Sequence, residues 1–557
     1  MKNSIKKIEL NFRNIETIEV DENTSFYEVS KLFKSHFAYP IMGVKFNNEI
    51  IGLDKLVTKK GNIDFYDLST KEGNTIYSHS VHFLMIVAIK RLLGNNINVI
   101  IQNSIDNGVY CEVVGMPITK KIVSEIQKEM DKMVQEDLKF INMSIRRTEA
   151  IKHFKDLKQY DKANVLKYIS NSHVTLYRLD NVYDYFFSTL VYSTKVLKDY
   201  KLTYIKENGF VLSVPTIFIP EYTADYKHVP LVFNTFNNYA KWGKMIGIEN
   251  ASDLNKFVSN GEYNKIIRLS ELNYEKQLME VSNKIFLKKK DVKLVLIAGP
   301  SSSGKTTTSK KLCNYLEGLG FHTHLISTDD YFKEREETPK DSNGEYDFEC
   351  IDAIDLDLFN KHLTKLLDGE KVLIPKFNFV KGHKEYDKNY LKLEKDDIIV
   401  IEGLHCLNED LTLSVPRKNK FKIFIGPFTQ LNIDDHNRIH TSDTRRLRRI
   451  IRDNRHRGYK ASDTLNMWHK IKLGESKYIY PFQNDSDAVI NSALTYELGV
   501  LKVYAEPLLY AVKEDDPSYP EAIRLINFLR NFLPIPSDEV PRDSVLREFI
   551  GGSGFEQ

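Results

Sequence analysis

The segment from residue 299 to residue 306 has the spacing of a phosphate-binding loop. It reads G-P-S-S-S-G-K-T and fits the pattern G-x-x-x-x-G-K-[ST]. The apolar run 293–298 before it predicts a buried parallel strand, and residues 307–317 after it predict a helix. A loop in this place points several N–H groups and the positive end of a helix dipole at one spot, where a polyphosphate binds. The expected phosphate contacts are Gly299, Pro300, Ser301, Ser302, Ser303, Gly304, Lys305, Thr306 and Thr307.

Two of these residues would act on the nucleotide and its metal ion. Lys305 would reach the β and γ phosphates, and the hydroxyl of Thr306 would complete the coordination of a magnesium ion. The loop therefore predicts ATP and Mg²⁺ as cofactors. The alternative is an ordinary serine-rich turn, which the full signature between a strand and a helix disfavours.

Acidic residues follow two further predicted strands. Asp329 comes after the strand predicted at 323–328, with Tyr331 close behind it, and Glu402 ends the apolar run 397–402. Ligands of open α/β sheets bind at the carboxyl ends of the strands. We therefore interpret Asp329 as the base that accepts a proton from an attacking hydroxyl, and Glu402 as a carboxylate serving magnesium. The alternative for Asp329 is a solvated acid at the start of a loop.

Two aromatic segments lie between these strands. The first, GEYDFECIDA, contains Glu349, and the second, PKFNF, contains Phe377 and Phe379. A carboxylate can pair with vicinal sugar hydroxyls, while aromatic rings can cover a base. Each segment taken alone could be plain core or loop, but their order beside the other motifs favours a binding pocket.

Four arginines dominate the densest charge cluster of the chain. Arg445, Arg448, Arg449 and Arg452 stand at i, i+3, i+4 and i+7, so a helix would gather them on one stripe. Guanidinium groups arranged in this way bind phosphate. A solvated basic face and a nucleic-acid patch are the competing interpretations. Beside a phosphate loop, we expect a mobile lid that closes on ATP.

Composition and charge limit the class of protein. A length of 557 residues predicts two to four domains, and 42% hydrophobic residues exclude a disordered chain. The net charge of +3 gives no global reason to expect nucleic acid or a membrane. Cys111, Cys313, Cys350 and Cys406 are isolated, which favours a reducing compartment. Without a recognisable targeting segment or an apolar run of bilayer length, we expect a cytoplasmic protein.

The first seventy residues predict two hairpins packed on one helix. Alternating apolar positions give the first hairpin near 8–20 and the second near 44–51, and the run from Ser25 to Glu28 is a capping box before a helix. This is the plan of a β-grasp module. Its position resembles the small N-terminal module of threonyl-tRNA synthetases.

The following segment resembles the editing domain of the same synthetases. The run SHSVHFL at 78–84 is similar to the opening of that domain, although Ser78 replaces the first histidine of its pair and only His82 matches. The resemblance places the remaining Cys and His of the family on Phe186 and Leu190, which bind no metal. We therefore interpret His82 as a structural histidine, because a zinc site needs three or four ligands.

The motifs between 293 and 508 resemble those of the uridine kinase and phosphoribulokinase family of P-loop kinases. This resemblance makes Asp329 the catalytic base and Glu402 the metal residue, with Glu349 on the ribose hydroxyls and Phe377 and Phe379 beside the base. The whole chain resembles longer bacterial nucleoside kinases whose kinase domain follows synthetase-like modules. Glu349 and Asn378 stand where uridine-cytidine kinases more often have Asp, so a pyrimidine preference is not indicated.

Together these patterns predict a multidomain α/β and α+β protein. We expect a β-grasp domain at 1–70, an editing-like α+β domain at 71–285, a P-loop kinase domain with a parallel sheet flanked by helices at 286–535, and a tail at 536–557. The expected activity is phosphorylation of a ribonucleoside, uridine or cytidine among others, at its 5′-hydroxyl. The alternatives are a sugar kinase of the phosphoribulokinase type and an RNA-linked P-loop regulatory protein.

The same patterns set the expected partners. They are ATP and a small nucleoside, with no membrane and no nucleic acid, and a homo-oligomer is compatible with the sequence. The sequence assigns no role to residues 546–552.

We predict that the N-terminal half binds no catalytic zinc, because only His82 matches the ligand set and Ser78, Phe186 and Leu190 occupy the other places. Metal analysis of the purified protein tests this. One stoichiometric zinc that is lost in the His82→Ala variant would contradict it.

Overall fold

The computed structural model describes residues 6–205, 209–341, 344–379, 381–429 and 431–555. The chain begins with a mixed sheet, in the strand order β2-β1-β5-β3-β4, crossed by one helix. The elements are β1 (Lys7–Phe12), β2 (Glu16–Asp21), α1 (Phe26–Leu32), β3 (Ile41–Phe46), β4 (Glu49–Ile51) and β5 (Gly61–Asp67). The Ser25 side chain caps α1 by accepting a hydrogen bond from the Glu28 amide. Two hairpins on one helix are present as predicted.

The next unit consists of two antiparallel sheets and their helices. Its sheets have the strand orders β11-β12-β7-β6 and β10-β9-β8. The elements are α2 (Lys71–Leu93), β6 (Asn98–Ile105), β7 (Gly108–Val114), α3 (Lys120–Gln135), β8 (Ile141–Arg146), α4 (Arg147–Asp156), α5 (Tyr160–Val165), β9 (His173–Leu179), β10 (Val182–Asp184), β11 (Lys201–Ile205) and β12 (Gly209–Ser213).

Helix α2 is long and apolar enough, by length and composition alone, to cross a membrane. The sequence analysis did not anticipate such a segment. Two thirds of its most apolar window is buried inside the protein (67%), and its residues from Val81 to Ile89 are all buried. This burial is what a core helix requires, because such a helix is apolar on every face.

Three helices lead from this unit to the second half of the chain: α6 (Pro230–Ile246), α7 (Ala251–Ser259) and α8 (Tyr263–Leu287). Helix α8 packs directly on the second half. The hydroxyl of Tyr274 lies 2.6 Å from that of Thr308, and the Gln277 side chain accepts a hydrogen bond from the Asn491 amide at 2.8 Å. The helices before residue 287 therefore share a core with the sheet that follows, and the boundary at 286 stays a prediction.

A five-stranded parallel sheet organises the second half, in the order β14-β19-β13-β20-β23. Its strands are β13 (Leu294–Ala298), β14 (His322–Ser327), β19 (Asp397–Glu402), β20 (Lys420–Gly426) and β23 (Ala488–Asn491). Four of the five are almost wholly buried, so they read in the sequence as continuous runs without alternation. A parallel sheet flanked by helices is the fold class predicted for this half.

Helices and short strands surround this sheet. The helices are α9 (Lys305–Gly318), α10 (Leu356–Leu367), α11 (Thr441–Arg457), α12 (Ala461–Tyr478), α13 (Glu497–Tyr510), α14 (Tyr519–Leu529) and α15 (Arg547–Ile550). The short strands are β15 (Val372–Leu373), β16 (Lys376–Asn378), β17 (His383–Glu385), β18 (Tyr390–Leu391), β21 (Asn432–Asp434) and β22 (Asn437–Arg438).

A buried ionic cluster joins the middle unit to the β21–β22 hairpin. The Lys162 ammonium lies 2.8 Å from Asp184 and 2.9 Å from Asp434, and the ring of His436 bonds Asp184 on its other oxygen. Burial alone would raise the pKa of Asp184, but His436 and Lys162 hold that pKa well below its ordinary value. Because buried charges need partners, this cluster fixes the hairpin that leads into α11.

Candidate active site

The loop between β13 and α9 has the backbone conformation that its sequence predicts. Ser302 and Gly304 have positive φ angles of 58° and 87°, and the Ser303 amide donates to the Pro300 carbonyl at 3.2 Å. A Cβ atom on Gly299 would lie 2.2 Å from the Ile425 carbonyl oxygen of the neighbouring strand. Glycine is therefore required at that position, because the loop and the strand approach each other too closely for a side chain.

The lysine of the loop is held by the loop itself. Lys305 Nζ donates to the carbonyl oxygens of Gly299 at 3.0 Å and Pro300 at 3.4 Å. The Thr306 hydroxyl donates to Glu402 Oε1 at 3.4 Å, so the end of β19 and the start of α9 meet at this point. The ammonium group and the hydroxyl thus lie where the loop would place the phosphates of a nucleotide.

The two predicted acids lie together at the carboxyl ends of adjacent strands β14 and β19. Ser327 joins them, because its hydroxyl donates to Glu402 Oε1 at 3.1 Å and accepts from the Asp329 amide at 3.3 Å. Burial raises the pKa of Glu402 to about 7, and the neighbouring charge of Asp329 adds to that rise. Burial also raises the pKa of Asp329, against the opposing charge of Lys305.

The oxygen atoms gathered here suit a magnesium ion that arrives with a nucleotide. Across the described residues, no group of three or more His, Cys, Asp or Glu could hold a metal ion unaided. Mg²⁺ commonly uses one or two protein oxygens and completes its shell with phosphates and water. The hydroxyl of Thr306 and the buried carboxylate of Glu402 match that requirement.

Glu349 faces the site from a loop pressed against α12. A Cβ atom on Gly474 would lie 2.9 Å from the Cβ atom of Glu349, so the glycine makes room for that loop. Burial raises the pKa of Glu349 to about 7, with Arg449 acting to lower it and Glu475 to raise it. No described cationic residue forms an ion pair with Glu349, so its carboxyl is available to hydroxyl groups.

The predicted aromatic residues form one cluster around Phe332. Its ring centroid lies 5.7 Å from that of Phe377, 6.0 Å from that of Phe379 and 6.0 Å from that of Phe348. Phe377 is buried, whereas Phe379 is 57% exposed. The sequence analysis missed Phe332, although it follows Asp329 by three residues. The exposed ring of Phe379 is supported by the buried ring of Phe377 and can therefore cover a flat ligand.

Tyr331 does not line the site as the sequence analysis predicted. It is 1% exposed, its ring packs edge-on against Phe359, and its hydroxyl lies 3.1 Å from His362 Nδ1. The 3-10 turn Thr328–Tyr331 directs Asp329 toward the site and the charge of Lys305, and it directs Tyr331 into the core. Tyr331 is close to Asp329 in the sequence, but the turn places the two side chains on opposite sides.

Two of the four predicted lid arginines are structural. Arg445 is 2% exposed and pairs with Glu475, and Arg448 is fully buried and pairs with Glu497 at 2.7 Å. Both lie in the continuous helix α11, which packs on α12 and α13. The expected stripe of free guanidinium groups on a mobile lid is therefore wrong for Arg445 and Arg448, because distant acids neutralise them.

The other two arginines stay near the loop. Arg449 Nη1 donates to the Ser301 hydroxyl at 2.6 Å, and its Nε lies 3.0 Å from Asp453. Arg452 pairs with the same buried aspartate at 3.3 Å and lines a cavity beside Thr306. These two can reach phosphate, since both keep part of the side chain exposed.

Two acids that the sequence analysis did not name contact the loop. Glu475 accepts a hydrogen bond from the Ser301 amide at 3.2 Å, and Glu548 accepts from the Thr307 amide, also at 3.2 Å. They lie 174 and 241 residues further along the chain. No local pattern marks either residue, so only the folded structure could find them.

In the middle unit, His82 lies buried in α2 with its ring 6.0 Å from that of His79. Burial lowers the pKa of His82 well below its ordinary value. The ring of Phe186 packs 6.1 Å from His79, and Leu190 belongs to the same apolar core. Absence of zinc stays a prediction.

Residues 294–498 match the model of the Phosphoribulokinase / Uridine kinase family. These residues form a domain of that family. They contain the phosphate loop, Asp329, Glu349, Glu402 and the whole of α11.

The relatives divide between the two parts of the chain. A threonine–tRNA ligase from Caldanaerobacter subterraneus subsp. tengcongensis is 26% identical over 202 residues, which are 36% of this chain and 31% of the ligase. The uridine kinase of Staphylococcus haemolyticus is 27% identical over 198 residues, which are 35% of this chain and 86% of that kinase. Among solved structures, D-glycerate 3-kinase from Cryptococcus neoformans overlaps 48% of this chain and 89% of its own, with 14% identity and a TM-score of 0.20.

The ligase match lies in the N-terminal region, so the predicted composite of a synthetase-like region and a kinase-family domain is confirmed. The chain spans about a third of the length of that ligase, at 31%.

We predict that Lys305→Ala abolishes phosphoryl transfer, because charge neutralisation at the γ phosphate supplies most of the catalysis in this chemistry. Arg449→Ala should slow turnover less, since Arg452 shares the charge. The measurement is ATP-dependent product formation. The matched control is Lys293→Ala, which directly precedes β13 at the end of that strand opposite the loop. Near-normal turnover of the Lys305 variant would show that this loop is not the active one.

Proposed function

We propose that the protein transfers the γ-phosphoryl group of ATP to the 5′-hydroxyl of a ribonucleoside. One observation carries this proposal: Asp329 lies beside Glu402 and the loop lysine at the end of the parallel sheet, with Glu349 and an aromatic cluster near the same edge. The Asp329 carboxylate would then lie between the site for the phosphoryl donor and the site for the acceptor.

On the donor side, the loop amides and Lys305 would hold the β and γ phosphates. Arg449 and Arg452 would contact the same phosphates from α11. Thr306 and Glu402 would hold the magnesium ion, which supplies charge neutralisation of the transferring phosphoryl group. The protein contributes position and fixed charge, which account for most of the rate in phosphoryl transfer.

On the acceptor side, Asp329 would accept the proton of the attacking hydroxyl. Burial raises the pKa of Asp329, which makes it a better base than an ordinary aspartate. Glu349 would accept hydrogen bonds from the 2′ and 3′ hydroxyls of the ribose, and Phe379 over Phe377 would border the base.

The cytoplasm is the compartment we propose for this reaction. All four cysteines are buried and free, which agrees with a reducing environment. A homo-oligomer is compatible with the fold, and we propose no nucleic-acid or membrane partner.

We predict that Asp329→Asn leaves ATP binding nearly intact and lowers turnover by about 10² to 10⁴-fold, the contribution of a placed general base. Asparagine keeps the shape of the side chain and removes its basicity. The matched control is Asp330→Asn, the adjacent acid, whose carboxylate accepts a hydrogen bond from the Phe377 amide at 3.3 Å. That variant should retain most of the turnover.

The acceptor is tested with a panel of compounds. Product formation is measured with uridine, cytidine, adenosine, inosine, guanosine, their deoxy forms, ribulose 5-phosphate and no acceptor. A deoxyribonucleoside should react less well, by about 1 to 3 kcal/mol, because Glu349 would be left partly unpaired. Activity with ribulose 5-phosphate alone would transfer the assignment to a sugar kinase. ATP hydrolysis that needs no acceptor would favour a regulatory P-loop protein.

We predict that the KM for the nucleoside rises as pH falls below about 7. The kcat should fall over the same range, because the pKa of Glu402 is also raised to about 7. The pKa of Glu349 is raised to about 7, so the carboxylate that accepts the ribose hydroxyls is present above that pH and protonated below it. In Glu349→Gln the KM should be higher and should lose this pH dependence. Steady-state kinetics between pH 5.5 and 8.5 measure both parameters, and a wild-type KM that stays flat across pH 7 would contradict the role of Glu349.

A further inference from the structure

A cavity of about 350 Å³ adjoins the phosphate loop on the side of α11. Three separate parts of the chain build it. Thr306 and Thr307 come from the start of α9, Arg452 and Arg457 come from α11, and the rest of the wall includes Ser553 and Phe555 near the C-terminus. Its volume is within the range of small-molecule pockets, which begins at about 300 Å³.

The C-terminal segment, residues 544–555, is anchored at several points. The Ser544 hydroxyl donates to the buried Glu271 carboxylate at 2.6 Å, and Arg547 Nη2 donates to the Val540 carbonyl at 2.7 Å. The Phe549 ring lies 5.0 Å beneath the guanidinium carbon of Arg448. The segment is therefore a fixed wall of the cavity, and Arg448 connects it to the phosphate loop.

Two glycines set the path of the chain in this C-terminal segment. Gly551 and Gly552 have φ angles of 85° and 72°, which L-residues with side chains rarely adopt. A Cβ atom on Gly551 would lie 2.1 Å from the Arg455 guanidinium carbon. The chain thus turns sharply after α15 and passes across the end of α11, and this turn brings Phe555 to the cavity.

The carboxylate of Glu548 lies in the same cavity, at a place where a bound anion would receive hydrogen bonds. Its Oε2 atom accepts hydrogen bonds from the Thr307 amide at 3.2 Å and from the Thr307 hydroxyl at 2.9 Å. Thr307 directly follows the loop lysine and threonine, at the start of α9. Amides at that position are the ones that a P-loop offers to nucleotide phosphates. A carboxylate and a phosphate cannot share one amide, because their negative charges repel.

We propose that the C-terminal segment forms the wall of the donor pocket that contacts the nucleoside part of the nucleotide, and that Glu548 holds the Thr307 amide until a donor phosphate displaces it. This proposal rests on the proposed function only in taking a nucleoside triphosphate as the donor. Phe555 is the ring that would stack on the base, and Arg452 and Arg457 are cations that would face the phosphates. Glu548 then acts as an internal competitor of the nucleotide.

The aromatic part of the proposal is tested by titrating the full-length protein calorimetrically with ADP and with inorganic tripolyphosphate, both in EDTA. Phe555→Ala should weaken ADP binding on the order of tenfold, the usual effect of losing a stacked ring. It should leave tripolyphosphate binding unchanged, because that probe has no base. Phe555→Leu should weaken ADP binding less. Unchanged ADP binding, or an equal loss for both probes, would overturn the assignment of the wall.

The competitor is tested with Glu548→Gln. Removing one nearby negative charge should strengthen the binding of both probes about fivefold. Glutamine keeps the size of the side chain and an acceptor oxygen, so the wall should keep its shape. Glu539→Gln, an exposed acid in the same part of the chain, should bind both probes as the wild type does. Weaker tripolyphosphate binding by the Glu548 variant would show that this carboxylate supports the loop and would overturn the competitor role.

These titrations need no acceptor and no turnover. A protein in which both variants behave as expected but no nucleoside is phosphorylated would refute the proposed function and leave the donor wall standing. The reverse result, nucleoside phosphorylation with unchanged ADP binding in Phe555→Ala, would refute the donor wall alone.

Discussion

One buried guanidinium group holds the phosphate loop in place. Arg448 is fully buried, pairs with Glu497 at 2.7 Å, and donates to the Ser492 carbonyl at 2.7 Å and the Ser302 carbonyl at 3.4 Å. A charge without water must keep its partners, because breaking one such pair costs about 3 to 5 kcal/mol. The loop, the end of β23 and the start of α13 are therefore connected through one side chain. Its other face packs on Phe549, so the C-terminal segment depends on the same residue.

The same helix connects the site to the middle unit. Helix α11 begins three residues after the β21–β22 hairpin, and the hairpin is fixed by the buried cluster of Lys162, Asp184 and His436. Further along α11, Asp453 orients Arg449 and Arg452 toward the loop. The hairpin therefore sets where α11 begins, and α11 carries both arginines. The middle unit and the kinase-family domain are thus joined by buried ion pairs at this point.

The residues at the centre of the candidate site could be predicted from local sequence patterns. The positions of the others depend on contacts with residues far away in the sequence. The loop, Asp329 and Glu402 could be predicted because each directly follows a buried strand whose carboxyl end must lie at one sheet edge. Tyr331 was misplaced because a 3-10 turn separates neighbours onto opposite sides, which spacing does not reveal. Arg445 was misread because its partner, Glu475, lies thirty residues away. The two N-terminal hairpins could be predicted from the alternation of apolar and polar residues and from the turn residues, which are also local patterns.

The charges of the candidate site indicate which groups it could bind. Glu349 and Glu402 have the same raised pKa, about 7, because each is removed from water. Their surroundings differ, however. Glu402 already accepts hydrogen bonds from Thr306 and Ser327 and lies beside the phosphate loop, so in the proposed reaction a cation brought with phosphates would satisfy it. Glu349 lies against α12, where neutral hydroxyl groups can donate to it without adding charge. In the proposed reaction, burial would thus prepare two carboxylates for two different partners, the metal side of the donor and the sugar side of the acceptor, with Asp329 near the boundary between them.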